Sequence, residues 1–260
     1  MNRLLYVLWN LNIFLESLPI SSSGHIRLFQ QYFKLPLVDS KTEHLMHIPN
    51  AFIIGAFLLY ADALKIVSKS PTDLVYFLCA VGLTNVITGL AYLLLKNRNL
   101  FPLPIGFLIS GCLLVSLAYA PNTLQFSITI VQAILIGCAQ SFALLPGISR
   151  LAVTCSMGIW LGIAPTMSIL FSLSCELALI LIAAGLALQS QFVRARLQMN
   201  LLQCFGLFFV SGLSFLALIF VNYCFNSGAV VFFGWYLIGI SLLSSFTFFC
   251  TATRNNQFIV

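Results

Sequence analysis

Hydrocarbon dominates this chain in blocks about long enough to cross a bilayer. Apolar runs near 48–66, 73–95, 102–121, 168–188, 201–223 and 229–250 each hold roughly 20 residues, the length a helix needs to span ~30 Å of hydrocarbon at ~1.5 Å per residue. Inside lipid the backbone N–H and C=O groups find no water, so each run is expected to satisfy its own hydrogen bonds as a helix. Six acids and twelve bases in 260 residues cannot clothe a soluble core of this size. The mean hydropathy of +1.04 agrees. The expected fold is an all-α polytopic membrane protein, a single integral membrane domain over 1–260.

Two segments break the pattern. Residues 4–20 are apolar but carry Asn12 and Glu16, and they run into Pro19-Ile20-Ser21-Ser22-Ser23-Gly24-His25. Residues 127–145 end at Pro146-Gly147-Ile148-Ser149-Arg150, with a return run to about 163. Irregular backbone at membrane depth is tolerated only where protein buries it, so both read as re-entrant helical segments. In the first, the irregular stretch is expected at Ser21–Gly24, with residues 26–47 forming an amphipathic return and loop. The order is then re-entrant, three spans, re-entrant, three spans. Leu18-Pro19-Ile20-Ser21-Ser22 echoes Leu145-Pro146-Gly147-Ile148-Ser149 with one residue inserted. Three spans per half give opposite orientations, so the expectation is an inverted repeat with halves of about 1–125 and 126–260. Such folds place their site where the two discontinuous segments face each other.

The net charge of +6 signals nucleic acid only when the basic residues cluster on one surface. Here they lie between or beside apolar runs, where topology explains them, and no nucleic-acid partner is expected. Arg194/Arg196, Lys96/Arg98, Arg254 and the basic loop after His25 go to the cytoplasm; Lys65 and Lys69 dissent, offset by Asp62 and Asp73. The eight cysteines fall in apolar segments without a Cys-x-x-Cys pair and read as small hydrophobes. The 24 phenylalanines read as lipid-facing and core bulk. Arg3 before an apolar run imitates a signal peptide, but Glu16 and Pro19 interrupt it, so the segment is taken as mature protein.

Within the two breaks the residue types point to anion chemistry. A carboxylate at membrane depth costs about 2.5–3.5 kcal/mol, so Glu16 needs a cavity or a partner; it reads as a general base or metal ligand. Asn12, four residues earlier, shares its helix face. Ser21, Ser22, Ser23 and Gly24 supply hydroxyls and a close-approach glycine, and successive N–H groups in such a turn make an anion-binding concavity. His25 reads as nucleophile, acid or base. Arg150 alone among the arginines is embedded between long apolar runs. Its guanidinium matches phosphate oxygens in bidentate fashion, with Gly147, Ser149 and Thr154 beside it as further phosphate contacts. Weaker candidates are His44-x-x-His47 with Glu43, a metal-like spacing in a loop, Gln140 facing the site, and Glu176, which sits inside a span and must have a partner.

At these motifs the chain resembles the bacterial undecaprenyl-diphosphate phosphatase family, the one tied to bacitracin resistance. The likeness rests on Glu16-x-Leu18-Pro19-Ile20-Ser21-Ser22-Ser23-Gly24-His25 and on Pro146-Gly147-Ile148-Ser149-Arg150 followed by Thr154. The run Gln132–Gln140, the length and the span count agree with it. The resemblance implies a multi-pass enzyme of the bacterial inner (plasma) membrane. It removes the terminal phosphate of undecaprenyl diphosphate and so recycles the cell-wall carrier lipid. It also implies a divalent cation, Mg²⁺ or Ca²⁺, held by a Glu-x-x-x-Glu helix. The catalytic roles fall on Glu16, Ser22, His25 and Arg150, with the nucleophile open between Ser22 and His25. Where the family carries its first carboxylate this chain has Asn12, which brings no charge and weakens the metal site. Leu151, Ile53 and Leu237 also depart from the family's polar residues. A polyprenyl-phosphate flippase and a non-catalytic lipid-binding paralogue are the rival readings; the oligomeric state is open.

Overall fold

A computed structural model describes residues 3–33, 35, 46–63, 71–95, 102–121, 125–188 and 200–256. The chain is all-helical there, apart from one isolated bridge between Gln125 and Ile163. The helices are α1 (Arg3–Glu16), α2 (Ser22–Tyr32), α3 (Ile48–Tyr60), α4 (Pro71–Leu95) and α5 (Leu103–Ser116, extended by a 3₁₀ turn Leu117–Tyr119). They are followed by α6 (Ile130–Phe142), α7 (Arg150–Trp160), α8 (Pro165–Leu188), α9 (Leu201–Ser227) and α10 (Val231–Asn256). Three helices are long and apolar enough to cross a membrane, within α4, α8 and α9; shorter apolar helices lie in α3, α5, α6 and α10. Glu43, His44, Lys65, Lys69, Lys96, Arg98, Arg194 and Arg196 lie outside the described residues.

Proline and glycine dictate where the two interrupted segments break. Pro19 has no N–H and pushes the residue before it out of the α region, so α1 stops at Glu16. The chain then turns through Ser17 N–H to Phe14 C=O (3.2 Å), Leu18 N–H to Leu15 C=O (3.1 Å) and Ile20 N–H to Leu18 C=O (2.9 Å). Ser21 takes a left-handed conformation with φ of 63°, and α2 starts at once. The break is therefore Ser17–Ser21. The expected irregular stretch Ser21–Gly24 is corrected: Ser22, Ser23, Gly24 and His25 form the first turn of α2. Gly24 meets no turn requirement; a Cβ there would lie 2.8 Å from the Phe107 ring, so its smallness serves helix packing.

The second break has the same logic. α6 opens with a capping box between Thr129 and Gln132, and beyond Phe142 it tightens into turns. Gly147 follows Pro146 with φ of 84°, a conformation glycine adopts without steric cost. Ser149 then caps α7, its hydroxyl accepting from Ala152 N–H at 3.3 Å. α5 presses against this turn: a Cβ on Gly147 would lie 2.5 Å from Leu103 O, and one on Gly106 would overlap Pro146 O. Ser110 closes the contact by accepting a hydrogen bond from Ser149 N–H at 2.9 Å. Ser17, Pro19, Ile20 and Ser21 of the first break and Gly147–Ser149 of the second are thus buried in protein, as hydrocarbon demands.

α8 is the hub. Its apolar window is 61% buried, against 33% for α4 and 22% for α9, and it packs on α3, α4, α7 and α9. Other pairings include α1 on α9, α6 on α4 and on α7, α3 on α9 and α5 on α10. Polar pins hold the hub. Asn85 Nδ2 donates to Cys175 O at 3.1 Å, Gln140 Nε2 donates to Asn85 Oδ1 at 3.1 Å and to Thr88 Oγ1 at 2.9 Å, and Thr154 and Ser172 hydroxyls bond to each other. Gln140 therefore belongs to the α4–α6–α8 packing, not to a site. Outward faces carry exposed Leu201, Phe205, Phe208, Phe232 and Phe246, the surface that lipid would cover.

Replacing Gly147 by alanine forces a Cβ both into the left-handed region and onto α5. Thermal unfolding in detergent should show destabilisation of about 1–3 kcal/mol from such strain or overpacking. Gly89→Ala, where a Cβ meets nothing within 4 Å, should leave Tm unchanged or raise it.

Candidate active site

The two breaks bring opposite charges together. Glu16 is the last residue of α1 and Arg150 the first of α7, so each side chain leaves its helix at the interruption. Arg150 Nη2 donates to Glu16 Oε1 at 2.9 Å. The other carboxylate oxygen, Oε2, accepts from the Ser22 hydroxyl in the first turn of α2. A nucleophile-type hydroxyl, its proton acceptor and a cation that orients the acceptor thus stand in one line, the arrangement that activates a serine.

Two further side chains complete the cluster. Glu176 of α8 lies with Oε1 3.6 Å from Arg150 Nη2, the same nitrogen that donates to Glu16. His47, immediately before α3, places Nδ1 3.7 Å from Glu16 Oε1. Side-chain exposure grades across the group: 3% for Glu176, 9% for Glu16, 21% for His47 and 25% for Arg150. An anion therefore meets Arg150 and His47 first, with the carboxylates behind them. Beside Glu16 a cavity of about 10 Å³ is lined by Ser17, Asn50, Ile53, Ile54, Leu173 and Leu218, room for about one water. Asn50 is buried with neither amide atom bonded, and Asn12 Nδ2 is likewise buried without a partner.

His25 stands apart from this cluster. Its Nδ1 is 2.9 Å from Ser21 O and its Nε2 3.0 Å from Tyr236 Oη. The carbonyl can only accept, so Nδ1–H donates to it and Nε2 accepts from the tyrosine hydroxyl. Phe107 packs against the ring at a centroid distance of 5.0 Å.

The remaining expected contacts sort differently. Ser21 Oγ is buried and unpartnered, while Ser23 is only half-buried and Gly24 abuts Phe107. Gly147 and Ser149 shape and cap the turn before Arg150. Thr154 is corrected: its hydroxyl bonds back to Arg150 O at 2.8 Å and to Ser172, buried between α7 and α8, so it braces the helix instead of facing a ligand. The metal-like His44-x-x-His47 spacing separates as well. His44 lies outside the described residues, and His47 turns to Glu16.

Sequence reasoning missed the placement of Glu176, His47, Asn50 and Tyr236. A lone acid in an apolar span was the available signal for Glu176. For Asn50 it was an amide in an apolar run, one helical turn from His47. Nothing local marks Tyr236, which reaches His25 from the last helix.

Comparison with known proteins bears on what this cluster serves. The chain is 27% identical over 246 residues to an undecaprenyl-diphosphatase of Treponema denticola, covering 87% of this chain and 90% of the relative. It is 30% identical over 243 residues to an undecaprenyl-diphosphatase of Carboxydothermus hydrogenoformans, covering 88% and 91%. To that of Campylobacter curvus it is 30% identical over 185 residues, covering 66% and 70%. The family model described as bacitracin resistance protein BacA matches residues 13–243. That span takes in Glu16, Arg150 and every helix pair between them, and the chain belongs to this integral-membrane family.

Proposed function

We propose that this protein hydrolyses undecaprenyl diphosphate to undecaprenyl phosphate and inorganic phosphate. The observation that carries the reading is the meeting of Glu16, Ser22 and Arg150 at the two helix breaks, in a chain whose relatives bear the name undecaprenyl-diphosphatase. The flippase reading has no comparable support. A substrate with an anionic head and a membrane-soluble tail suits the site, because Arg150 is the most exposed charge of a cluster enclosed by apolar helices.

The membrane arrangement we propose is six spans and two re-entrant units related as an inverted repeat, multi-pass in the bacterial plasma membrane. Reciprocal packing supports it. α1, of the first unit, packs on α9, the second span after the other unit; α6, of the second unit, packs on α4, the second span after the first. α3 pairs with its counterpart α8, and α5 with its counterpart α10.

In the mechanism, Arg150 takes oxygens of the diphosphate and orients the terminal phosphorus toward Ser22. The Ser22 oxygen attacks; its proton passes to Glu16 and a serine O–P bond forms. The bond between the terminal phosphorus and the bridging oxygen breaks, and the lipid monophosphate leaves with that electron pair. Water then attacks the phosphoserine and the serine O–P bond breaks. The leaving Ser22 oxygen takes back the proton held on Glu16, the freed carboxylate accepts one proton from the water, and inorganic phosphate departs with that proton, leaving Glu16 ionised again. Charge on the transferring phosphoryl is stabilised by Arg150, the main requirement of such loose transition states. His25, engaged through both nitrogens, orients the first turn of α2 and with it Ser22.

The implied divalent cation has donors to meet. Among the described residues no group of three or more His, Cys, Asp or Glu side chains is arranged to hold a metal. Glu16, Glu176 and the unbonded Asn50 amide nevertheless offer the oxygen ligands that Mg²⁺ or Ca²⁺ prefers alongside phosphate and water. Held there, the cation would draw charge from the phosphoryl oxygens.

Purified protein in detergent should release phosphate from undecaprenyl diphosphate, and Arg150→Ala should lower kcat/KM by at least about 10²–10³-fold, the scale of losing one charge-stabilising donor. Tight lipid binding without release by the native protein would contradict the hydrolase reading. The choice of nucleophile is tested by trapping the intermediate with a denaturing quench at neutral pH, which preserves both phosphoserine and phosphohistidine. Wild type should yield a phosphoserine that Ser22→Ala lacks, while His25→Gln should still form it, only more slowly. A phosphohistidine instead, or a Ser22→Ala enzyme with full activity, would remove Ser22 from that role.

A further inference from the structure

Glu176 is a buried acid that takes no part in the bond-making and bond-breaking steps above. It sits in the middle of α8, the most enclosed of the membrane-length helices, with a side chain 3% exposed. A carboxylate at that depth is costly and calls for a partner. A partner is present in the cluster at the helix breaks: the guanidinium of Arg150, 3.6 Å away and also bonded to Glu16. Oε1 accepts no hydrogen bond, so an acceptor is aimed at Arg150 without being saturated by it.

Resting on the hydrolase reading, we infer that Glu176 is a positioning residue of the reaction centre, a second carboxylate that shares Arg150 with Glu16 and leaves Glu16 free to accept the Ser22 proton. Were Glu16 the only anion beside Arg150, the guanidinium would bind both of its oxygens in the bidentate fashion natural to that pair. That geometry would engage the oxygen that Ser22 now uses. Glu176 competes for the same nitrogen, Nη2, so Arg150 touches Glu16 through that nitrogen alone and only at Oε1, and Oε2 is left to Ser22. When an anionic diphosphate takes up the exposed N–H groups of Arg150, Glu176 holds the buried side of the guanidinium in place.

The fold treats this carboxylate as something to be aimed. Asn85 clamps the carbonyl of Cys175, the residue before it, at 3.1 Å, and Ser172, one turn earlier, is bonded to Thr154 of α7. These pins fix the rotation and height of α8 beside the first turn of α7, where Arg150 stands. The neutral Asn12, one turn before Glu16 on α1, has a buried Nδ2 with no partner. A carboxylate built there shares a face with Glu16 and could take over the pull on Arg150 from the α1 side.

The test is steady-state kinetics on undecaprenyl diphosphate for wild type, Glu176→Gln, Glu176→Asp and the double variant Asn12→Glu/Glu176→Gln, with Tm measured for each. Glu176→Gln should lower kcat about 10–100-fold, the usual cost of losing a supporting partner, with KM within about threefold. Glu176→Asp should retain more activity than Gln, and the double variant should regain at least about tenfold in kcat over Glu176→Gln. An active wild type with an unaffected Glu176→Gln overturns this inference alone. So does a loss in Glu176→Gln that tracks a fall in Tm and that neither Asp nor the Asn12→Glu change reverses, because that is the pattern of a merely structural group. A wild type that releases no phosphate overturns the hydrolase reading, and this inference with it.

Discussion

One ion pair organises the molecule. Glu16 closes one helix and Arg150 opens another, each beside a proline-marked break, and each would be costly in hydrocarbon alone. Their 2.9 Å contact lets both exist at membrane depth, and it ties the first helical unit to the second across half the chain. Desolvation makes such a pair a poor source of stability but a strict condition on the fold. Breaking one partner leaves an unpaired buried charge, at about 3–5 kcal/mol, whereas exchanging both for apolar groups is often neutral. A chain that keeps the pair keeps it for what the charges do.

What they do follows from where the backbone is free. The regular spans satisfy their own hydrogen bonds and present hydrocarbon outward. At the breaks Ser17–Ser21 and Ala143–Ser149 the chain leaves helical geometry between paired helices, and there hydroxyls, a carboxylate and a guanidinium gather with partners in reach. The hub helix α8 contributes the other carboxylate and is rigidly pinned where it does so. The catalytic constellation thus stands on helix ends held by packing, the kind of support that sub-ångström positioning of reacting groups requires.

Much of this was legible in the amino-acid order. Apolar run lengths located the membrane helices closely, as α4 and α8 illustrate, because hydrocarbon thickness leaves little choice. Pro19 and Pro146 located both breaks, and the isolated charges Glu16 and Arg150 marked the two segments that meet. The sequence alone points Arg150 at a phosphate as its clamp; its bond to Glu16 comes from the structure. The errors have physical causes as well. Ser21–Gly24 looked like loop because serine and glycine favour turns, yet tertiary packing of Gly24 against Phe107 drew the stretch into α2. Thr154 shares a helix with Arg150, but its hydroxyl found closer partners in Arg150 O and Ser172. Asn12 suggested a site with one carboxylate. The second came from Glu176, beyond the reach of any local pattern, since only three-dimensional packing decides which face of α8 meets α7.

The account depends most directly on Glu16 and Arg150 being a coupled buried pair. Thermal unfolding of wild type, Glu16→Gln, Arg150→Met and the double variant measures that coupling. Arg150→Met should be the least stable, since it strands the facing carboxylates Glu16 and Glu176; Glu16→Gln should lose less, because Arg150 keeps Glu176. Adding Glu16→Gln to Arg150→Met should then restore stability, the double variant melting above the Arg150 single variant. Losses that simply add, with the double variant the least stable of the four, would mean the two charges do not meet and would contradict the arrangement described here.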